Sequence, residues 1–299
     1  MGNSQRLDIG HVLCPVDFSA ISDMALRYAA VAARQFKARL TVLHAERFEF
    51  PRYLTRDTKA QLAGEVKGAK DHAEADLRGH VEALLGAATA LLEVQYAVEE
   101  SEPAAAVLRR ERETQVDLVV MGTHGLGGFK RVIMGSTAEA VVRQCQVPVF
   151  TVRPKAQAFI DGQRPDADPA IDVILCPLIP EPAFLGSLHY AAALAERFGA
   201  ALKVLQVVED DAPLDQAGAK LRELTAAEIG RRCSWSVEVH AGRAAEQIVS
   251  LAGSQSADLL VVGARRRPFA DVAILGRTTE LVLRHAPVPV LAVPLPGKV

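Results

Sequence analysis

Three glycines and two hydroxyls in the middle of the chain are spaced to hold an anion by backbone groups: Gly122, Gly125, Gly135, Ser136 and Thr137. They follow an apolar run, Asp117-Leu118-Val119-Val120, that reads as a buried strand, and they lead into Ala138 to Cys145, which reads as a helix. At a strand-to-helix junction in a parallel sheet, the helix N-terminus offers N–H groups and the positive end of its dipole. Gly122 and Gly125 permit positive φ and close backbone approach. Ser136 with Glu139 three residues on has the spacing of a capping box. A second chemical group stands at the end of the first apolar strand, in Pro15-Val16-Asp17-Phe18-Ser19. The Asp17 carboxylate can accept hydrogen bonds from ribose hydroxyls or an adenine amine, whereas it would repel phosphates. The two clusters therefore sort into a sugar or base end and a phosphate end.

Two familiar phosphate loops are excluded. Gly122 and Gly127 have the Walker A separation, but Gly128-Phe129 follow in place of Lys-Ser/Thr. The dinucleotide pattern fails because Gly125-Leu126-Gly127 is followed by Lys130 at the third glycine position. His124 reads either as a general acid or metal ligand, or as a loop residue beside phosphate, and no second His or Cys stands at ligand spacing from it. His44 is similarly open, and Lys130 and Arg131 read as phosphate contacts or as solvated loop charges. No Ser-His-Asp or Cys-His arrangement emerges. The four cysteines, Cys14, Cys145, Cys176 and Cys233, form no CxxC pair, and Cys14 and Cys176 lie in apolar runs that make them core residues. A net charge of −2 gives no general basic field for nucleic acid. The sequence has no uninterrupted apolar run of about 18 residues to span a membrane, and the polar stretch Met1 to Asp8 lacks the core of a secretory signal. A cytoplasmic protein with free thiols is the expectation.

The elements that must position these groups are written twice. Ile9-Gly-His-Val-Leu-Cys-Pro-Val-Asp17 matches Ile171-Asp-Val-Ile-Leu-Cys-Pro-Leu-Ile179 at an offset of 162 residues. Farther on, Asp117 to Gly122 matches Asp258 to Gly263, and Val147 to Val149 matches Val288 to Val290, at an offset of 141. The shortening from 162 to 141 places 21 extra residues in the first unit, between Phe48 and Leu92. In the first unit, strands are expected near His11–Val16, Leu40–Ala45, Leu92–Val98, Val116–Met121 and Val147–Val152, and helices near Ser22–Phe36, Gln61–Leu85, Pro103–Glu113 and Thr137–Cys145. Leu62, Val66, Ala69, Ala73, Leu77, Val81 and Leu84 keep helical spacing, which marks an amphipathic helix covering one sheet face. Phe48 to Thr58 ahead of it reads as a flap or a partner site. Alternating strands and helices give an α/β fold with a parallel, doubly wound sheet. Pro154 to Pro169 is rich in turn residues. The expected division is residues 1–153, a linker at 154–169, and residues 170–299.

The set Gly122-x2-Gly125-x9-Gly135-Ser136-Thr137, with Met121 ahead of it and Pro15-Val16-Asp17-Phe18-Ser19 at the first strand end, resembles the ATP-binding branch of the universal stress protein family. The resemblance extends over nearly the whole chain. It implies two tandem five-stranded sheets of order 3-2-1-4-5, with ligand at the C-terminal ends of strands 1 and 4, where the order reverses. It implies that Pro15, Val16, Asp17 and Ala45 line the adenosine end. Gly122, His124, Gly125, Gly135, Ser136 and Thr137 would surround the phosphates, with Met121 preceding them. The implied cofactor is ATP, with Mg²⁺ as the cation a triphosphate ordinarily carries. Family members pair through the last strand, so the two units of one chain are expected to pair with each other around a pseudo-twofold axis. A homodimer of such chains and a protein partner of unknown identity are both compatible with that arrangement. The implied role is a nucleotide-responsive protein of stress adaptation. Two rivals remain open: slow ATP hydrolysis in the same crevice, with His124 the nearest water-positioning base, and a nucleotide-independent scaffold or chaperone-like module.

The second unit departs from the motif. At the matched positions Asp17 becomes Ile179, Gly125 becomes Arg266 and Ser136 becomes Arg277, while Gly263, Gly276 and Thr278 are kept. An apolar side chain cannot accept a ribose hydrogen bond, so this unit is expected not to hold ATP in the same way. The run Arg265-Arg266-Arg267 reads either as a site for an anion, a nucleotide phosphate in another pose or an acidic partner, or, as the favoured expectation, as one arginine filling the vacated pocket and pairing with a nearby carboxylate such as Asp271 while the others are solvated.

Overall fold

The structure is a computed structural model. It describes residues 7–46, 56–123, 134–154, 156, 158–161, 166–208, 213–269 and 272–296, with the backbone alone at 56–67, 266–269 and 272–274. The first unit comprises strands β1 (His11–Val16), β2 (Arg39–Glu46), β3 (Val94–Glu100), β4 (Leu118–Gly122) and β5 (Val149–Val152), interleaved with helices α1 (Ala20–Phe36), α2 (Arg56–Leu85), α3 (Pro103–Glu113) and α4 (Ser136–Gln144). The second comprises β6 (Val173–Pro177), α5 (Leu185–Phe198), β7 (Ala201–Val208), α6 (Leu214–Ile229), β8 (Trp235–Ala241), α7 (Ala244–Ser254) and β9 (Leu259–Ala264). A two-stranded hairpin, β10 (Arg266–Phe269) and β11 (Val272–Leu275), then leads to α8 (Arg277–His285) and β12 (Val290–Pro294). The other ten strands form one sheet in the order β3-β2-β1-β4-β5-β12-β9-β6-β7-β8. All neighbours run parallel except β5 and β12, which are antiparallel.

Strand composition follows from burial on both faces. Val12, Leu13 and Cys14 are all fully buried, as are Ile174 and Cys176; a parallel strand sandwiched between helices has no polar face to show. Alternate residues feed two cores. Val12, Cys14 and Val120 join α1, α2, α5 and α6 on one face, and Leu13, Val119 and Met121 join α3, α4, α7 and α8 on the other. Each core draws residues from both units, so the hydrophobic layers pass through the middle of the sheet without a break.

Local signals set the element ends. α1 begins at Ala20, two residues ahead of expectation, because Ser19 is its N-cap and accepts from the Ser22 N–H. In the second unit the matched start is occupied by Pro182, and the first turn tightens into a 3-10 turn at Pro182–Phe184 before α5 begins. Nearly all of the 21 extra residues lie in α2, 30 residues long against 16 for α6, and in the six-residue 3-10 turn Gly86–Leu91 that follows it. That turn uses Leu92 as its C-cap and delays β3 to Val94, past the expected start. On α2, Leu77, Val81 and Leu85 are buried at helical spacing, with exposed residues between them.

A matched pair of aspartates fixes the start of each unit. Asp117 Oδ2 accepts from the Gly10 and His11 N–H groups, both at 2.9 Å. Asp258 Oδ2 accepts from the Asp172 and Val173 N–H groups at 2.8 and 2.9 Å. Each carboxylate thus ties the loop before the fourth strand of its unit to the first strand. His11 is buried beside this clamp, with Nδ1 3.0 Å from the Thr114 carbonyl and Nε2 2.8 Å from Thr41 Oγ1. Burial pulls its pKa below the ordinary 6.5.

The two units meet along β5 and β12. Phe150 lies opposite Leu291, and Leu291 is also its repeat counterpart at the 141-residue offset. The axis relating the two strands therefore passes through that pair. Thr151, fully buried, donates its hydroxyl to the Val290 carbonyl at 3.1 Å. The chain after β5 is anchored rather than left as a bare tether: Phe159 packs its ring against Tyr28 and Phe150, its N–H reaches the Tyr28 hydroxyl at 3.3 Å, and Ile160 is buried. Asp168 then pairs with Arg34 at 3.1 Å.

Candidate functional site

In the first unit the winding direction reverses between β1 and β4, so their C-terminal ends border a crevice. Pro15 and Val16 finish β1, and Asp17 is the residue beyond it. The Asp17 carboxylate is held by its own turn: Oδ1 accepts from Ser19 Oγ at 2.6 Å and from the Ser19 N–H at 3.1 Å. Ser22 Oγ donates back to the Ser19 carbonyl at 2.9 Å. Between Asp17 and Ser19, Phe18 takes φ 61°, a left-handed conformation that costs a non-glycine residue about 1 kcal/mol or more. Phe18 is 38% exposed. It sits 4.8 Å from the His44 ring and 5.0 Å from the His80 ring, between centroids. His80 Nε2 lies 2.7 Å from Asp23 Oδ1, and His44 Nδ1 lies 3.0 Å from the Val16 carbonyl. Ala45 follows His44 on β2 and is half-buried. Phe18, His80 and Asp23 were not assigned to the site from sequence. The aromatic directly after Asp17 was the available signal, but His80 arrives from α2, far along the chain.

The other bank is the end of β4. Met121 is buried and Gly122 half-buried. Thr123, 1% exposed, donates its N–H to the Val152 carbonyl at 2.9 Å and accepts from the Gly135 N–H at 2.7 Å. The chain therefore leaves and re-enters this bank across one hydrogen bond, with Met134 buried at the return. The capping-box expectation is corrected here. Gly135, not Ser136, is the N-cap of α4; it has φ −62° and ψ 145° and receives no side-chain cap. Ser136 is the first helical residue and is exposed, and the Glu139 N–H bonds to the Gly135 carbonyl at 3.0 Å. Shifted by one position, Ser136 cannot close the box, and among the described residues no side chain caps the first turn of α4. His124, Gly125, Lys130, Arg131, most of Phe48–Thr58, and Asp271 lie outside the described residues.

The matched crevice of the second unit is built differently. Ile179 stands 43% exposed at the position of Asp17. A Cβ placed on Gly263 would lie 2.9 Å from both the Phe184 ring and Leu295, so two apolar side chains already cover the end of β9. Arg265 does turn toward this crevice, but its partner is Glu181, at 3.5 Å, with its guanidinium 5.3 Å from the Phe184 ring centroid. Among the described residues no group of three or more His, Cys, Asp or Glu side chains is arranged to hold a metal ion. Nor is any helix long and apolar enough to cross a membrane. The Cys14 and Cys176 thiols are pushed up in pKa by burial, the latter to about 12, which leaves them as packing groups.

Two doubly wound α/β units, sharing one sheet and each opening a crevice at its switch point, define a duplicated switch-point α/β protein. The sequence signature of the universal stress protein family matches residues 9–153 and again residues 172–294, so the chain belongs to that family as a tandem member. It is 27% identical over 296 residues to a universal stress protein of Mycolicibacterium smegmatis, covering 94% of this chain and 96% of the relative. A universal stress protein of Thermus aquaticus is 36% identical over 137 residues, 44% of this chain and 92% of its own length. The crystal structure of a universal stress protein from Archaeoglobus fulgidus superposes with a TM-score of 0.70 at 20% identity, over 97% of this chain and 99% of the other, which establishes a shared fold.

Proposed function

We propose that this protein is an ATP-binding, nucleotide-responsive member of its family. Residues 1–153 would hold the nucleotide and residues 170–299, after the segment 154–169, would form a half that has lost that site. What supports the reading is that the turn-locked carboxylate of Asp17 follows β1, while the N-terminus of α4, with no capping side chain among the described residues, is tied by Gly135 to Thr123 at the end of the neighbouring β4. Pro15, Val16, Asp17 and Ala45 receive the adenosine. Gly122, Gly135, Ser136 and Thr137, with His124 and Gly125, receive the phosphates, and Met121 precedes them. The residues present fit the group: the carboxylate accepts from ribose hydroxyls, and first-turn N–H groups with a helix dipole favour a polyanion. ATP supplies the base, the sugar and the polyphosphate, and Mg²⁺ travels with the polyphosphate. The expected role is a cytoplasmic stress-adaptation protein whose nucleotide state is read by a partner.

The test is to denature freshly purified protein, identify the released nucleotide by chromatography and mass spectrometry, and count it per chain, for the native sequence and for Asp17→Ala. About one ATP per chain, lost in the variant, is expected from one intact crevice in two. Two nucleotides per chain would overturn the assignment of a degenerate second half. A protein that arrives bare and fails to take up added ATP would overturn the reading itself. ADP in place of ATP would transfer the crevice to slow hydrolysis.

A further inference from the structure

The second unit's crevice has not collapsed with the loss of the motif. It encloses a cavity of about 270 Å³. Its walls are Leu205 and Val207 of β7, Ile248 of α7 and Val262 of β9, all aliphatic. Its rim carries Arg265 and Arg277. The volume is that of about nine liquid waters, room for a ligand of about that many non-hydrogen atoms.

The charges on the rim select the ligand. Arg277 is the first residue of α8, whose N-cap Gly276 receives no side-chain cap. A cation at that end opposes the helix dipole, and Arg277 has no ion pair among the described residues. Among the described residues Arg265 is engaged by a single carboxylate, that of Glu181, carried over the rim on the loop that follows β6. Among the described residues, two guanidinium groups against one carboxylate leave one unit of positive charge, to which the helix terminus adds about half a unit. That matches one negative charge better than a triphosphate. Glu181 itself shows that a carboxylate suits Arg265. The nucleotide manner of binding is closed, because Ile179 offers no acceptor and Phe184 and Leu295 cover the backbone at Gly263.

We propose that the second-half cavity binds a small amphiphilic monocarboxylate, its apolar body among Leu205, Val207, Ile248 and Val262 and its carboxylate on Arg277 and Arg265. The chain would then carry two ligand sites of different chemistry on one sheet. This site uses none of the residues assigned to ATP, so it stands or falls separately from that reading.

The experiment is calorimetric titration of the full-length protein with octanoate. 1-Octanol serves as the neutral control, and ATP is titrated in a separate run. Saturable binding of one octanoate per chain is expected. Arg277→Gln should weaken it about tenfold or more, the value of one charge-assisted hydrogen bond. Val207→Phe, which fills the cavity, should abolish it, and Asp17→Ala should leave it unchanged. Circular dichroism and thermal melts verify that each variant is folded. If Val207→Phe misfolds, Arg277→Gln, on an exposed position, decides alone. Absence of saturable octanoate binding, equal affinity for 1-octanol, or indifference to Arg277→Gln would overturn the proposal. So would displacement of octanoate by ATP in the Asp17→Ala protein.

Discussion

The aspartate clamps allow a quantitative test of whether the two units behave as one body. Replacing Asp117 by Ala removes two hydrogen bonds to a carboxylate, both of 2.9 Å. Such bonds are worth about 1.5–3 kcal/mol each, and for a half-buried group the lower figure applies, so the loss is about 3 kcal/mol. Unfolding entropy near the midpoint is about 2.1 cal/mol/K per residue. If the chain melts as a single cooperative unit, 3 kcal/mol lowers Tm by about 5 °C; if each half melts alone, the affected half falls by about 10 °C and the other stays put. The continuous sheet and the two cores that cross its centre predict the first result, one transition lowered by about 5 °C. Differential scanning calorimetry reads both the number of transitions and the shift. The matched Asp258→Ala should reproduce the effect, and Asp117→Asn, which keeps an acceptor, should cost about half as much. Two separated transitions with only one displaced would refute the single-body argument, and a shift below about 1 °C would refute the clamp itself.

Two other outcomes follow from described groups. His11 is buried with a pKa below 6.5, so below pH 6.5 the unfolded chain binds a proton that the folded chain resists. The protein should be most stable above that pH and lose stability as pH falls through 6.5 toward the lowered folded value, and thermal melts of His11→Gln should show a flatter acid limb even though the variant is weaker overall. Ser136→Asp places a negative charge in the first turn of α4, which should raise helix stability by about 0.3–1 kcal/mol. The same charge should weaken ATP binding about tenfold or more if the phosphates sit there. Thermal melts and ATP titration of that variant should therefore move in opposite directions, and an unchanged ATP affinity would place the phosphates elsewhere.

Much of this fold was legible because its signals are local and repeated. The buried run His11–Val16 and the helix Pro103–Glu113, opened by its proline, stand at the expected residues. The paired offsets located the extra length that became α2 and its 3-10 turn. What escaped was set by tertiary choice. Ser136 and Glu139 have capping-box spacing, yet the chain turns into α4 one residue earlier, at Gly135, a difference of one peptide that spacing cannot resolve. One arginine of the run 265–267 was expected to enter the crevice and pair with a carboxylate; Arg265 pairs with Glu181, 84 positions away, a partner that sequence spacing does not reveal because the proline-rich turn after β6 carries it over the rim, while Asp271 lies outside the described residues. The aspartates at 117 and 258 were visible as repeat markers, but their bonds to the first strand of each unit appear only once the sheet is assembled.

The β5–β12 junction has a consequence for inheritance. Where two identical chains meet through such a strand, every substitution appears on both sides at once, and a change that abolishes one crevice abolishes both. Here the partners are encoded separately and joined covalently, which makes their meeting an intramolecular event. The association does not depend on how much protein the cell makes. The two sides of Phe150 and Leu291 are thus free to accumulate different residues while each keeps its counterpart as a permanent folding partner.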